Sequence, residues 1–535
     1  MEEPEKDSSK TKEQIPSNDF EINTRLVLLA KSSFIVSITL LLSKFLLYLY
    51  RIVIARQYGP EVYGLFTLSI VIISWFRIFA SLGIKEGLLR YIPLIRAKKQ
   101  DKAIRYIIEK SFFLLIITTV LASVLLFFFS DTIAITLFSD KNLITFLQIF
   151  SVALPFIILG AVFLSIIRAF EKISWFSFIS NIFGNLIQLV ILGILIFFGM
   201  NSLSIPISYF VGTFAMFIFA YVIFRKILPR TPKDKEEDNP EHKKLFKETL
   251  SYSWPCIFYG IVNYFFYWTD SFLIGIFKTV QDVGFYNAAV PIAALLALPY
   301  SLFGQLFFPM VTQAFSKGNL EMVKQLSQQV GKWVFMIVMP FFVLLMIFPG
   351  VFINLLFGSE YLVAENALRF LAIGSLFAAI FGISQDLLFI KGKSKLVLID
   401  TLIIAVINVI LCVILIPLYG LNGASFATMI SLIALYLIFF IQSYKHFSII
   451  PVRRKMLNIT LIVILLAIPL WLMSSFVKVD LFSLIIIGIF FGIVYISLIF
   501  LTHCLDKNDL SVLKSIWDLL KKFKKNSKNL PKEKI

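Results

Sequence analysis

Lys44, Tyr48 and Arg51 stand inside a long apolar run at i, i+4 and i+7, so they share one face of a helix. Arg77 follows between "ISWF" and "IFAS". An ionisable group near mid-bilayer costs about 2.5–3.5 kcal/mol on insertion scales, so each of these cations is expected to face a wet cavity or a partner. Buried cations of this kind attract and hold an anion; they do not break bonds. Asn263 and Asp270, also seven apart, mark a later apolar run. Three roles are open to Asp270: pairing with Arg51 to close a gate, binding a coupling proton or sodium ion, or accepting a local hydrogen bond. Lys85 and Arg90, in "IKEGLLRYIP", are expected at the inner mouth, as a receiver for an anionic headgroup or as ordinary membrane-flanking charges. Lys31 and Arg56 lie near helix ends, where snorkelling accounts for them. Asp386, near the end of another apolar run, is expected to pair with neighbouring lysines.

No bond-making apparatus accompanies these charges. Cys256, Cys412 and Cys504 form no CxxC, and His242, His446 and His503 form no HExxH or paired ligands. "KGKS" at 391–394 ends like a phosphate-binding loop, but Leu387 occupies the position of its first glycine. Neither a metal site, nor a cofactor, nor an enzymatic activity is expected.

The elements that must position the charges are membrane helices. Of 535 residues 59% are hydrophobic and 15% charged, too little polar residue to cover a water-soluble globule. The all-α prediction has fourteen spans, near 28–54, 61–82, 106–129, 144–167, 174–198, 204–227, 250–277, 284–311, 331–356, 361–390, 396–417, 421–444, 457–476 and 480–503. Connections after even spans are basic (Arg96, Lys98, Lys99 and Lys102; Lys391, Lys393 and Lys395; Arg453, Arg454 and Lys455), whereas those after odd spans are short and nearly free of Lys and Arg. By the positive-inside rule both termini are cytoplasmic. The net charge of +18 is therefore a topology signal and no footprint for nucleic acid. "MEEPEKDSSKTKEQ" does not read as a cleavable signal. "LSVLKSIWDLLKKFKK" places Leu513, Ile516, Trp517 and Leu520 on one face, which suits a helix on the inner leaflet.

An internal repeat organises the spans. "GPEVYGLF" (59–66) returns as "QDVGFYNA" (281–288), pairing Gly64 with Gly284; Pro93 pairs with Pro309, Lys172 with Lys393, and "GMNSLS" (199–204) with "GLNGAS" (420–425). Each half holds six spans, an even number, so the halves are expected to be parallel repeats about an axis along the membrane normal. The expected organisation is a polar tail (1–27), a first lobe (28–228), a cytoplasmic linker (229–249), a second lobe (250–445), two extra spans (446–505) and a basic amphipathic tail (506–535).

"IARQYGPEVYGLFTLS" followed by "ASLGIKEGLLRYIP", with "DSFLIG" (270–275) and "VGFYNAA" (283–289), resembles the polysaccharide-transporter family of lipid-linked oligosaccharide flippases, within the multidrug/oligosaccharidyl-lipid/polysaccharide exporter superfamily. The resemblance runs from about residue 25 to 505. It implies flipping of a polyprenyl-phosphate or -diphosphate glycan from inner to outer leaflet by alternating access, in the cell membrane, for surface polysaccharide synthesis. It further implies a lipid groove at spans 13–14 and, matched by helix, a cavity lined by Lys44, Arg51 and Arg77. Membrane lipids, the glycan and a coupling H+ or Na+ are the expected partners, and a monomer the expected state. The rival is a multidrug cation antiporter using Asp270. A membrane glycosyltransferase would need an outer domain with catalytic acids, and no outer connection exceeds about 14 residues.

Overall fold

Helix follows helix through the described residues because runs of Leu, Ile and Phe are broken mainly by isolated glycines and prolines. The computed structural model describes residues 18–228, 239–450, 453–476, 481–502 and 504, with the side chains of residues 18–37 and a few others, Asn263 among them, left out. Most of the polar tail, the first half of the linker (229–238) and the amphipathic stretch around Leu513–Leu520 lie outside the described residues.

The α-helices are α1 (Asn18–Ala80), α2 (Ile84–Ala97), α3 (Asp101–Thr132), α4 (Asn142–Ala169), α5 (Ile173–Ser177), α6 (Gly184–Phe197), α7 (Ser204–Ile227) and α8 (Pro240–Phe277). They continue as α9 (Val280–Ala294), α10 (Leu298–Ser316), α11 (Leu320–Ile347), α12 (Pro349–Leu356), α13 (Glu365–Ile390), α14 (Ser394–Phe447), α15 (Arg454–Phe476) and α16 (Leu481–Leu501). No strand occurs among the described residues. Among the described residues ten helical stretches are long and apolar enough to cross a membrane, and side chains such as Phe113 and Phe128 remain exposed on their outer faces, as lipid contact requires. The chain is a multi-pass membrane protein.

Two of these helices are bent pairs. In α1 the bend falls at Gly59 (φ 78°, ψ 178°), and in α14 at Gly420 (φ 58°, ψ −133°). Pro60 then opens the second arm of α1, where its fixed φ and missing N–H cost least. Other boundaries differ from expectation. Asn239 caps α8 through Glu241 N at 2.9 Å, so residues 240–249, expected as linker, are helical. The run expected as one span over 331–356 divides at Phe348, because Pro349 starts a new helix, and α11 begins already at Leu320. A 3-10 turn at Leu295–Ala297 splits the eighth expected span ahead of Pro299.

The repeat is written in backbone conformation even where side chains have diverged. Lys99, Ser139, Glu171 and Gly199 have positive φ in the first half; Gly318, Gly358, Gly392 and Gly420 have it in the second, at offsets of 219, 219, 221 and 221. In three of the four pairs a non-glycine carries the left-handed conformation in the first half, which costs an L-residue roughly 1–2 kcal/mol. Glu171→Gly, at an exposed site, is therefore expected to stabilise the protein by about 1 kcal/mol, measured as a higher midpoint of thermal unfolding in detergent.

The halves meet along the second arm of α1 and α9. A Cβ on Gly64 would lie 1.9 Å from the Val280 carbonyl oxygen, and a Cβ on Gly284 would lie 1.9 Å from that of Pro60. The two repeated turns thus close on each other reciprocally. The last two helices dock on α11 through Met456, Ile459, Val463, Phe491 and Tyr495 against Phe335, Met339 and Val343, with the Tyr495 hydroxyl donating to Met336 O at 2.7 Å.

Candidate functional site

Between the two halves lies a cavity of about 370 Å³ walled by α1, the turn into α2, α4 and α8. Its polar wall contains Arg77, Ser81, Lys85 and Glu86, facing Cys256, Tyr264, Tyr267 and Trp268. Lys85 Nζ lies 3.2 Å from Glu86 Oε1, while Glu86 Oε2 is buried with no hydrogen-bond partner among the described residues. The aromatic side is fixed by α8: the Tyr264 hydroxyl donates to Val71 O at 2.6 Å, and its ring meets Trp75 edge-on, centroids 5.4 Å apart. A ring face beside a guanidinium suits a ligand that combines a sugar or apolar surface with negative charge.

Glycines bring helices of the two halves close together on either side of the cavity's level. Toward Gly59 stands the Gly64–Gly284 contact, reinforced by the Tyr63 hydroxyl donating to Asn287 O at 3.1 Å. Toward α2, Gly83 (φ 64°) lies against the Ser253 carbonyl and Gly87 against Thr249 and the Ser253 hydroxyl. Gly83 is required twice, by its left-handed backbone and by this approach. Beside it the Arg90 guanidinium sits 4.2 Å from the Tyr252 ring centre.

The expected site residues divide. Arg77 and Lys85 line the cavity. Arg51 points its guanidinium at Trp268, 6.0 Å from the ring centre, with a buried Nε that bonds to nothing among the described residues. Tyr48 and Lys44 continue along that face of α1, half-buried and exposed respectively, beyond the cavity wall. Arg90 is at the α2 end. The Asn263 side chain lies outside the described residues.

Of the three roles left open to Asp270, the structure displays the local hydrogen bond. The residue is 4% exposed and forms no ion pair with Arg51. Its carboxylate accepts from the Thr428 hydroxyl at 2.5 Å, the Tyr286 hydroxyl at 2.6 Å and the Cys412 thiol at 3.4 Å, so it ties α8, α9 and α14 together inside the second half. Its neighbours there supply enough donors to satisfy it without a basic partner. Asp270→Ala leaves these donors unmatched and should cost roughly 3 kcal/mol, while Asp270→Asn, which keeps an acceptor oxygen, should cost less; paired thermal-unfolding curves measure the difference. Asp386 likewise takes its hydrogen bond from the Tyr300 hydroxyl, at 2.8 Å, instead of from a lysine.

The sequence did not single out Glu86, Cys256, Tyr264 or Trp268 as lining residues. A usable signal was present for the aromatics, since "YFFYW" is a dense run of rings, Tyr264, Tyr267 and Trp268 polar-tipped, just before Asp270.

A bent helical fold with a cationic and aromatic cavity between two halves defines a membrane-transporter class of architecture. The chain belongs to the polysaccharide biosynthesis protein family, whose model matches residues 29–315, more than half of it; the MatE model matches residues 255–414. A putative O-antigen transporter of Shigella flexneri is 23% identical over 353 residues, covering 64% of this chain and 80% of that protein. An uncharacterized membrane protein of Methanocaldococcus jannaschii is 25% identical over 357 residues, covering 64% of this chain and 69% of its own length. Among solved structures, a lipid II flippase in an inward closed conformation superposes with a TM-score of 0.64 at 20% identity, over 89% of this chain and 99% of the other. At that identity the superposition speaks for the fold.

Proposed function

We propose that the protein moves a polyprenyl-phosphate- or -diphosphate-linked oligosaccharide from the inner to the outer leaflet of the cell membrane by alternating access. The observation that carries this is the cavity between the halves, with Arg77 and Lys85 on one wall and aromatic rings on the other, while the close backbone contacts between the halves, toward Gly59 and toward α2, can part without breaking covalent or ionic bonds. A glycan cannot cross hydrocarbon with its hydroxyls unpaired, each costing several kcal/mol, and a wet cleft removes that cost without any chemistry. The cavity is at the low end of the range for small-molecule sites, so an oligosaccharide needs the halves to move apart. Lys44, Tyr48 and Arg51 would join the wall in the opened form, as would Asn263.

The finer architecture is part of the same proposal. Dividing α1 and α14 at their glycine bends and adding α8 and α16 to the ten apolar stretches gives fourteen spans. The lobes would be residues 28–228 and 250–445, joined by the 229–249 segment and followed by spans 13–14 (446–505). Reciprocal contact between Gly64 and Val280 and between Gly284 and Pro60 is what a two-fold axis relating the lobes requires, and an even number of spans in each lobe would make the repeats parallel. With both termini cytoplasmic, the α2 end of the cavity faces inward and the Gly59 end outward. Carrying two negative charges outward gains roughly 4.6 kcal/mol per 100 mV of inside-negative potential, enough to drive export without ion coupling. A coupling H+ or Na+ would fall to Asp270. Its enclosure by neutral donors favours the flippase over a cation antiporter, whose substrate must reach an acid.

Deletion of the gene with leaflet-resolved analysis of lipid-linked sugars tests the function. Accumulation in the inner leaflet supports it; unchanged sugars together with raised sensitivity to cationic drugs would replace it with the antiporter.

A further inference from the structure

Arg56 was expected only to snorkel, yet it reaches across to the other half of the chain. Helix α12 stops at Leu356, followed by Phe357 and by Gly358 at φ 110°; Gly358 N donates to Asn354 O at 3.1 Å, whereas the Leu355 and Leu356 carbonyls lack amide donors of their own helix. Arg56 supplies them: Nε donates to Leu356 O at 3.0 Å, and Nη2 donates to Asn354 O at 3.0 Å and to Leu355 O. A guanidinium suits this place because its fork spans adjacent oxygens and its charge sits at the negative end of the helix dipole. The contact is continued on one side by the Tyr361 hydroxyl, which donates to Ala55 O at 3.1 Å. On the other, Tyr63 packs between the rings of Phe357 and Tyr361, centroids 5.9 and 6.3 Å away.

We infer that Arg56 is the outward-side latch: by capping α12 it holds the first half against the second, and it must release α12 before the cavity opens at the Gly59 end. A cation that grips carbonyls, unlike one in an ion pair, leaves no stranded carboxylate behind on opening, since water can take over both sides of each bond. Lys278 provides the internal comparison. Its Nζ donates to Pro417 O at 3.0 Å, a cation on a carbonyl of similar kind, but within the second half. The latch presupposes the alternating lobes proposed above; a distance measurement reads it without transport, so either can fail alone.

The test uses the full chain in nanodiscs, with noncanonical spin-labelled residues at Asn201 and Val363, so that the native cysteines stay in place. Both positions are exposed, and the Tyr58 hydroxyl, donating to Met200 O at 3.1 Å, keeps the first label beside the end of α1's first arm. Arg56→Gln should add a longer-distance population and raise the open-to-closed ratio roughly tenfold, the ratio for losing one charge-assisted hydrogen bond, while Lys278→Gln leaves the distribution as it was. An unchanged distribution in Arg56→Gln, or an equal change in Lys278→Gln, overturns the latch. If Arg56→Gln does not fold, Arg56→Lys, which keeps the charge but cannot span the carbonyls, replaces it: a smaller shift in the same direction supports the latch and no shift overturns it.

Discussion

Gly64→Leu is expected to cost about 3 kcal/mol or more and to stop transport. The smallest side-chain atom at this position would lie 1.9 Å from the Val280 carbonyl oxygen, well inside contact distance, and backbone cannot rotate away as a side chain would. Overpacking typically costs about 1–3 kcal/mol where neighbours can adjust, and this site falls at or beyond the upper limit. The symmetric Gly284→Leu meets Pro60 O at the same distance and should behave alike. Gly193, with nothing within 4 Å of its added Cβ, is the control, and leucine there should leave stability within about 1 kcal/mol. Thermal unfolding in detergent measures the first part, and a leaflet assay on surviving protein the second. Gly64→Leu with wild-type stability and transport would mean that the halves do not close at this contact.

The second large effect is functional. Arg77→Glu is expected to cut glycan translocation about 100-fold or more while leaving the melting midpoint near that of the wild type. Arg77 is exposed to the cavity, so charge reversal disturbs little packing. Toward an anionic headgroup, reversal replaces attraction by repulsion of comparable size, about 4 kcal/mol for unit charges 4 Å apart at an effective dielectric of 20. Arg77→Lys, which keeps the charge and loses the planar fork, should retain part of the activity. A wild-type rate for Arg77→Glu would remove this residue from the substrate path.

Helices and repeat were legible because both depend on residue type over long windows. Apolar runs, Gly59-Pro60 and the glycines of the two "GxNxxS" corners are visible directly, and Gly59, Gly199 and Gly420 adopt the positive φ that their type suggests. Lys99, Ser139 and Glu171 adopt it too, but nothing in a lysine or glutamate announces a left-handed turn, so the full extent of the repeat emerged only from backbone angles. Lys44, Arg51 and Arg77 were found from their cost in hydrocarbon, and of these Arg77 lines the cavity; Lys85, expected at the inner mouth, lines it as well. The acid in the second half was found by the same rule, which left its neighbours open between Arg51, a coupling ion and local donors. Charge cost says that Asp270 needs donors, not whether they are a guanidinium from across the cavity or the Tyr286, Thr428 and Cys412 side chains of its own half. The contact of Arg56 was not legible, because its acceptors are main-chain carbonyls 298 to 300 residues away, which have no residue signature.

The most direct measurement is translocation by the purified protein in liposomes loaded with a polyprenyl-diphosphate oligosaccharide, read by enzymatic access to the sugar from outside. Movement across the bilayer that requires the protein, and that disappears in Arg77→Glu, is the expected result. Sugar that stays in its original leaflet, while a cationic dye is expelled against an imposed proton or sodium gradient, would contradict a flippase with an anion-binding cavity.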